Sequence, residues 1–156
     1  MIYFIQEGDN GPIKIGKAGS VERRQKGLQI AHHKELFILQ VIPGGAEREN
    51  KIKKDLIEYK IRGEWFQPTP EVFEYMRSVK YPEYELDGGI PYAVLYREDG
   101  KAKTEFCPFC GKRHIHGGIG DGHSLAHCTD GSKEITAEDG TVLFKDRGYL
   151  LRVKKN

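Results

Sequence analysis

Several features that would classify a protein at once are missing from this sequence of 156 residues. No apolar run approaches the roughly 20 residues that a membrane-spanning helix needs, so we expect no membrane partner. Residues 2–6 begin a β-rich segment directly, without the basic region, apolar stretch and cleavage site of a secretory signal. Three cysteines are an odd number and too few for a disulfide framework. We therefore expect an intracellular, cytoplasmic protein.

An excess of charge of one sign is also missing. The formal net charge is only +2. Residues 1–80 hold 14 Lys and Arg against 11 Asp and Glu, and residues 81–156 hold 11 against 12. This weak tilt excludes a polybasic arm, so a nucleic-acid-binding protein of this composition has to focus its basic residues on one face.

The patterns that are present predict an α+β protein in two parts. Residues 1–80 follow the order β-β-α-β-α-α, with residues 81–91 as a linker and residues 92–156 as a small β-rich, zinc-stabilised module. Ser20 is the expected N-cap of the first helix. The predicted strands of the first part cover residues 2–6, 13–15 and 36–42, the last of them central, and its helices cover residues 21–29, 46–60 and 70–79.

Two charged side chains of the first part fall on apolar helix faces. Arg24 follows Val21 by three residues, and Glu49 precedes Ile52 by three, so both are expected to point inward. Isolated buried charges are costly, and such residues are usually paired or functional. A buried Arg24–Glu49 salt bridge, or a frayed helix end that leaves Glu49 in water, would also explain the pattern.

Two strand residues could complete a phosphodiester-cleaving site. Such a site needs a general base, a cation for the phosphate and a carboxylate for a divalent metal. Tyr3 and Lys14, from the two strands of the first hairpin, would join Arg24 and Glu49 in that set. Taken alone, Tyr3 also fits a half-buried strand tyrosine and Lys14 a solvent-facing lysine.

At these residues the sequence resembles the GIY-YIG nucleases, and within them the T5 Orf172-like branch. The resemblance covers residues 1–78. It depends on the ordered set Ile2-Tyr3, Lys14-Ile15-Gly16-Lys17, Val21-Glu22-Arg23-Arg24, Leu28-Gln29, Glu49 and Gly63-Glu64-Trp65-Phe66.

The resemblance implies a metal-dependent DNA endonuclease that hydrolyses phosphodiester bonds. Tyr3 would act as general base or orient the water, Arg24 would stabilise charge on the scissile phosphate, and Glu49 would bind Mg²⁺ or Mn²⁺. Lys14 replaces the second tyrosine of the signature, and an ammonium there could hold the nucleophile. The expected partner is double-stranded or branched DNA.

Two further departures from the family pattern keep an alternative open. Leu28 and Lys53 stand where many members carry histidine. A DNA-binding protein on the same fold, with weak or no catalysis, is therefore a second hypothesis. A phage enzyme, a mobile-element enzyme and a host defence factor all fit the sequence. The expected contacts to nucleic acid are Lys17, Arg23, Lys53, Lys112 and Arg113.

The second part contains a Cys/His cluster with metal-ligand spacing. Cys107, Cys110, His123 and Cys128 follow the C-x2-C-x12-H-x4-C pattern of a structural Zn²⁺ site, which we predict aids nucleic-acid binding. The glycines between the cysteine pair and His123 would break a DNA-reading helix, so a zinc-stapled loop or ribbon is expected. The segment resembles a zinc knuckle of unassigned family, and a zinc-organised protein-interaction module is a third hypothesis. His127, His114 and His116 remain alternatives for the fourth ligand.

Overall fold

A computed structural model describes residues 1–126, 128 and 134–154 of the chain, apart from the side chains of residues 144 and 145. The chain divides into two compact units, residues 1–78 and 79–156. Three α-helices and several β-sheets make up the described residues, which confirms the α+β class. None of these helices combines the length and the hydrophobicity needed to cross a membrane.

Unit 1 is built on a five-stranded antiparallel sheet in the order β3-β1-β2-β5-β4. Strand β1 is buried along most of its length, as expected for an inner strand that is covered on both faces. The elements are β1 (Ile2–Glu7), β2 (Ile13–Lys17), α1 (Val21–Gln29), β3 (Leu36–Ile42), α2 (Ala46–Asp55), β4 (Lys60–Arg62), β5 (Trp65–Phe66) and α3 (Pro70–Lys80), the last of which runs into the second unit.

The predicted N-cap, Ser20, marks the start of α1 in the structure. The Ser20 hydroxyl accepts a hydrogen bond from the backbone N–H of Arg23 at 3.3 Å, as an N-cap should. The second predicted helix is too long, because α2 ends at Asp55 and residues 57–59 form a 3-10 turn that leads into β4. The prediction of a central strand at Leu36–Ile42 is wrong, since β3 lies at the edge of the sheet.

Unit 2 contains a six-stranded sheet and a separate two-stranded hairpin. Strands β13 and β7 pair in parallel at the centre of the larger sheet. The described strands are β6 (Tyr84–Asp87), β7 (Ile90–Glu98), β8 (Lys103–Phe106), β9 (Arg113–Ile115), β10 (Gly122–Ser124), β11 (Glu134–Thr136), β12 (Val142–Phe144) and β13 (Tyr149–Lys154).

The linker predicted at residues 81–91 is corrected by this sheet. Strand β6 pairs with β7 in antiparallel register, from Tyr84 opposite Ala93 to Asp87 opposite Ile90. Gly88 and Gly89 both have positive φ angles, which fits the tight turn of a hairpin. The glycines that suggested a flexible connection therefore make a turn between two paired strands.

Candidate functional site

The first hairpin of unit 1 brings the two predicted strand residues to one face. Tyr3 lies opposite Gly16 and Ile5 opposite Lys14 in the β1–β2 register, so Tyr3 and Lys14 are diagonal neighbours. A Cβ atom at Gly16 would lie 2.4 Å from the Tyr3 hydroxyl oxygen. Any other residue at this position would collide with the phenol, so glycine is required by the close approach rather than by backbone freedom.

Arg24 reaches this face from helix α1. Its Nε donates to the hydroxyl oxygen of Tyr3 over 3.5 Å, a long contact. Tyr3 is only 1% exposed, whereas Arg24 is exposed to solvent. The prediction that Arg24 points inward is therefore wrong in that the residue is exposed, although its side chain does contact the buried Tyr3. An arginine side chain is long enough to contact a buried partner while the residue stays in water.

Glu49 is buried in the first turn of α2, as its position on the apolar stripe predicts. Lys53, one turn later on the same helix, donates to Glu49 Oε1 at 2.6 Å. The predicted alternative of a salt bridge between Arg24 and Glu49 is not formed within the described ranges. Arg24 contacts Tyr3 instead, and the partner of Glu49 is Lys53.

Glu64 joins the two lysines into one network. Its Oε1 accepts from Lys53 at 2.5 Å, and its Oε2 accepts from Lys14 at 2.9 Å. Lys14 is 8% exposed, so the solvent-facing alternative for this lysine is wrong. Its ammonium also lies 5.4 Å from the centre of the Trp65 ring, within cation–π range. The network therefore alternates two carboxylates with two ammonium groups.

The network shifts the proton affinities of its members. Burial alone would raise the pKa of Glu64, but the hydrogen bonds from Lys53 and Lys14 outweigh it and lower the pKa to about 2. Burial alone would lower the pKa of Lys53, and the bonds to Glu49 and Glu64 instead hold it above its ordinary value. Both groups are therefore charged at neutral pH, and each stabilises the charge on the other.

The donor set of this network fits a divalent cation. Mg²⁺ and Mn²⁺ prefer carboxylate oxygens, and Glu49 and Glu64 offer two from different elements. The Lys53 ammonium contacts Oε1 of both residues, which shows that one cation can lie against both carboxylates. Glu49, the metal ligand that the resemblance implies, is therefore in surroundings that suit such an ion.

Sequence reasoning did not assign Glu64 a role at the site. Its position before Trp65 in the Gly-Glu-Trp-Phe segment is the signal that could have found it, although this pattern favours a turn hydrogen bond. Two of the residues expected to contact nucleic acid, Lys17 and Arg23, are exposed. Lys53, which is also expected to contact nucleic acid, instead forms salt bridges with Glu49 and Glu64.

Unit 2 gathers four metal-binding side chains. The ligand atoms of Cys107, Cys110, His114 and Cys128 all lie within 4.8 Å of one another. The Sγ atoms of Cys107 and Cys128 are 3.6 Å apart, and His114 Nε2 lies 3.2 and 3.3 Å from the Sγ atoms of Cys110 and Cys128. Ligands of a tetrahedral Zn²⁺ ion are roughly 3.5–3.8 Å apart, and these distances are equal to that spacing or slightly shorter, so a small outward shift of His114 would let the set hold the metal.

The backbone around the first two cysteines explains how they converge. The N–H of Cys107 donates to the carbonyl of Lys112, and the N–H of Gly111 donates to the carbonyl of Cys107. Gly111 has φ +69°, which favours glycine in this tight knuckle. Burial and the neighbouring cysteines raise the pKa of the Cys107 and Cys128 thiols. A bound cation would reverse this effect by stabilising the thiolates.

The predicted fourth ligand, His123, is wrong. His123 is exposed on β10, and its ring lies 4.8 Å from that of Tyr92. His116 is buried and is engaged by the hydroxyl groups of Tyr149 and Ser124. His127 lies outside the described residues. His114 completes the site, because the pairing of β8 with β9 returns the chain to the cysteines only four residues after Cys110.

The two basic residues predicted next to this site differ in their surroundings. Lys112 is exposed at the knuckle. Arg113 is half-buried on β9, with its guanidinium 4.6 Å from the centre of the Phe106 ring. Lys112 is therefore better placed than Arg113 to contact another molecule.

Comparison with known proteins adds one finding. The model of a family described as the T5orf172 domain matches residues 1–79, about half of the chain and nearly the same span as unit 1. Comparison with curated proteins and with solved structures gives no match. The matched span contains Tyr3, Arg24, Glu49 and the network around Glu64. The chain therefore belongs to the T5orf172 domain family.

Proposed function

We propose that unit 1 is a metal-dependent DNA endonuclease of the GIY-YIG type. The single observation that carries this proposal is the clustering of Arg24, which would bind the phosphate, with carboxylates that would bind a metal ion. Arg24 contacts Tyr3, and Lys14 is the diagonal neighbour of Tyr3. Lys14 is bonded to Glu64, which is connected through Lys53 to Glu49. The T5orf172 domain is associated with a GIY-YIG-like, nuclease-like fold, which agrees with this reading.

Each group has a role that its surroundings suit. The exposed Arg24 guanidinium would bind the scissile phosphate and stabilise its developing charge. Tyr3 is buried and contacts Arg24, so it would position the guanidinium. Its hydroxyl group would also orient the water molecule that attacks the phosphodiester. Glu49 and Glu64 would hold the divalent cation, which would supply charge stabilisation for the phosphate and the leaving oxygen.

The zinc site of unit 2 would be structural. Three thiolates and one imidazole would fill the four positions that Zn²⁺ takes in a structural site and would leave none for a reacting water. We propose that Zn²⁺ fixes the knuckle that exposes Lys112, so that unit 2 adds a contact to the DNA backbone. Lys17 and Arg23 would supply phosphate contacts from unit 1, and such contacts position a protein without reading sequence.

A second candidate is a DNA-binding protein with little or no catalysis. One observation favours it: Lys53 lies between the two carboxylates that would hold the metal. A site whose carboxylates are already neutralised would bind phosphate through Arg24 and yet turn over slowly.

A plasmid assay separates these functions. We expect the purified protein to nick or linearise supercoiled DNA with Mg²⁺ or Mn²⁺, and EDTA to stop the reaction. Arg24→Ala should lose cleavage and weaken binding. Exposed Lys26 lies on the same helix, and Lys26→Ala is the matched control. Binding without cleavage under either metal would favour the second function. Absence of binding at low salt would contradict both.

A further inference from the structure

We propose that Lys53 is the resident counter-cation of the metal site, and that a divalent cation binds Glu49 and Glu64 only by displacing the Lys53 ammonium. This inference rests on the proposed function. It also assigns Glu64 as the second carboxylate ligand of that site.

The geometry places Lys53 where the divalent cation would bind. Its Nζ lies 2.6 Å from Glu49 Oε1 and 2.5 Å from Glu64 Oε1. Glu49 comes from the first turn of α2, and Glu64 from the turn between β4 and β5. One ammonium therefore joins carboxylates from two separate elements. A metal ion bound to both oxygens would have to lie in the same region.

Lys14 has a different part in the network. It bonds to Oε2 of Glu64, the oxygen that Lys53 does not contact. Lys14 can therefore keep the Glu64 carboxylate in place while Lys53 moves away. Departure of Lys53 would free Oε1 of both Glu49 and Glu64 for a metal ion without breaking the bond to Lys14.

The charges of the network favour binding of either the Lys53 ammonium or a divalent metal ion, but not of both together. Glu49 and Glu64 carry two negative charges, which Lys14 and Lys53 balance. In this state the network has no net charge with which to attract a metal ion. When Lys53 leaves, one net negative charge remains. The side chain of Lys53 is 22% exposed, so its ammonium has a path to water.

Manganese binding tests the exchange without an activity assay. Free Mn²⁺ is measured by electron paramagnetic resonance during titration of the zinc-loaded, full-length protein, so that Mn²⁺ does not compete for the cysteines. Lys53→Gln should bind Mn²⁺ at least about tenfold more tightly than the wild type, since a unit charge at this range shifts equilibria on that scale. Lys54→Gln, an exposed neighbour on the same helix, is the matched control and should leave the affinity unchanged.

A double variant tests the assignment of Glu64. Lys53→Gln with Glu64→Gln should lose the gain in Mn²⁺ affinity that Lys53→Gln alone produces. Lys53→Met provides a second substitution of similar length, and the fluorescence of Trp65 reports whether each variant is folded. Equal or weaker Mn²⁺ binding in both folded Lys53 variants would overturn the exchange. Full retention of the gain in the double variant would overturn the role of Glu64.

The plasmid assay keeps this inference separate from the proposed function. Cleavage by the wild type, together with unchanged Mn²⁺ affinity in the Lys53 variants, refutes the exchange and leaves the nuclease proposal standing. Tighter Mn²⁺ binding in Lys53→Gln, together with no cleavage by the wild type under either metal, supports the exchange and refutes the nuclease proposal.

Discussion

The carboxylate of Glu64 should make the stability of unit 1 depend on pH in acid. Hydrogen bonds from Lys53 and Lys14 lower its pKa in the folded chain to about 2, from an ordinary value of 4.5. A depressed folded pKa means that the unfolded chain binds the proton first as pH falls. The contribution of Glu64 is therefore complete above pH 4.5 and is lost as pH falls towards 2.

The size of this contribution follows from the shift and the exposure. Without screening, a shift of this size corresponds to about 3 kcal/mol. The Glu64 side chain is 41% exposed, and solvent screening reduces the expected contribution to about 1 kcal/mol. Glu64→Gln removes the charge and keeps one acceptor oxygen, so that one of the two lysines retains its hydrogen bond. The free energy of unfolding should thus fall by about 1 kcal/mol at pH 7, and this difference should vanish near pH 2.

Urea denaturation followed by Trp65 fluorescence measures the effect. Trp65 is the only tryptophan of the sequence and lies in unit 1, the unit that contains Glu64. Urea is uncharged and does not screen the ion pairs. Glu58→Gln changes an exposed carboxylate of the same unit and is the matched control. Parallel stability curves for wild type and Glu64→Gln between pH 7 and pH 2.5 would refute the reasoning.

Two further predictions concern the zinc ligands and the glycine beside Tyr3. His114→Ala should lose most of the roughly one Zn²⁺ per chain measured by elemental analysis, whereas His123→Ala should keep it; the reverse result would contradict the assignment of His114. Gly16→Ala should destabilise unit 1 by about 1–3 kcal/mol in urea, because the added methyl group overlaps the Tyr3 hydroxyl. Gly27→Ala, in open space on α1, should instead stabilise it by up to about 1 kcal/mol, and equal effects of the two would refute the steric argument.

Local signals were sufficient to predict several elements of the fold. The Ser20 cap and the apolar spacing gave α1 its observed bounds. Strand pairing is not local, and there prediction failed. The apolar run Leu36–Ile42 suggested a central strand, but β3 pairs with β1 at the edge of the sheet and leaves Phe37, Ile38 and Leu39 partly exposed. Hydrophobicity indicates that a segment forms a strand, but it does not fix the order of strands.

In the candidate site, too, features that depend on local sequence could be predicted, and features that depend on strand pairing could not. The burial of Glu49 could be predicted, because it depends on the periodicity of one helix. The position of Glu64 in the network could not be predicted, because it requires β5 to pair with β2, which places Trp65 opposite Lys14 across 51 positions of sequence. In unit 2 the cysteines followed from their spacing, whereas His114 reached them through the pairing of β8 with β9.

A single substitution at Glu49 tests the central claim most directly. Glu49→Gln removes the carboxylate charge that would bind the metal, and it leaves in place the exposed Arg24, which would bind the phosphate. We expect this variant to bind DNA as tightly as the wild type in a gel-shift assay with EDTA. With Mg²⁺ or Mn²⁺ it should leave supercoiled plasmid intact, while the wild type cuts it. Cleavage by Glu49→Gln at the wild-type rate would contradict the account.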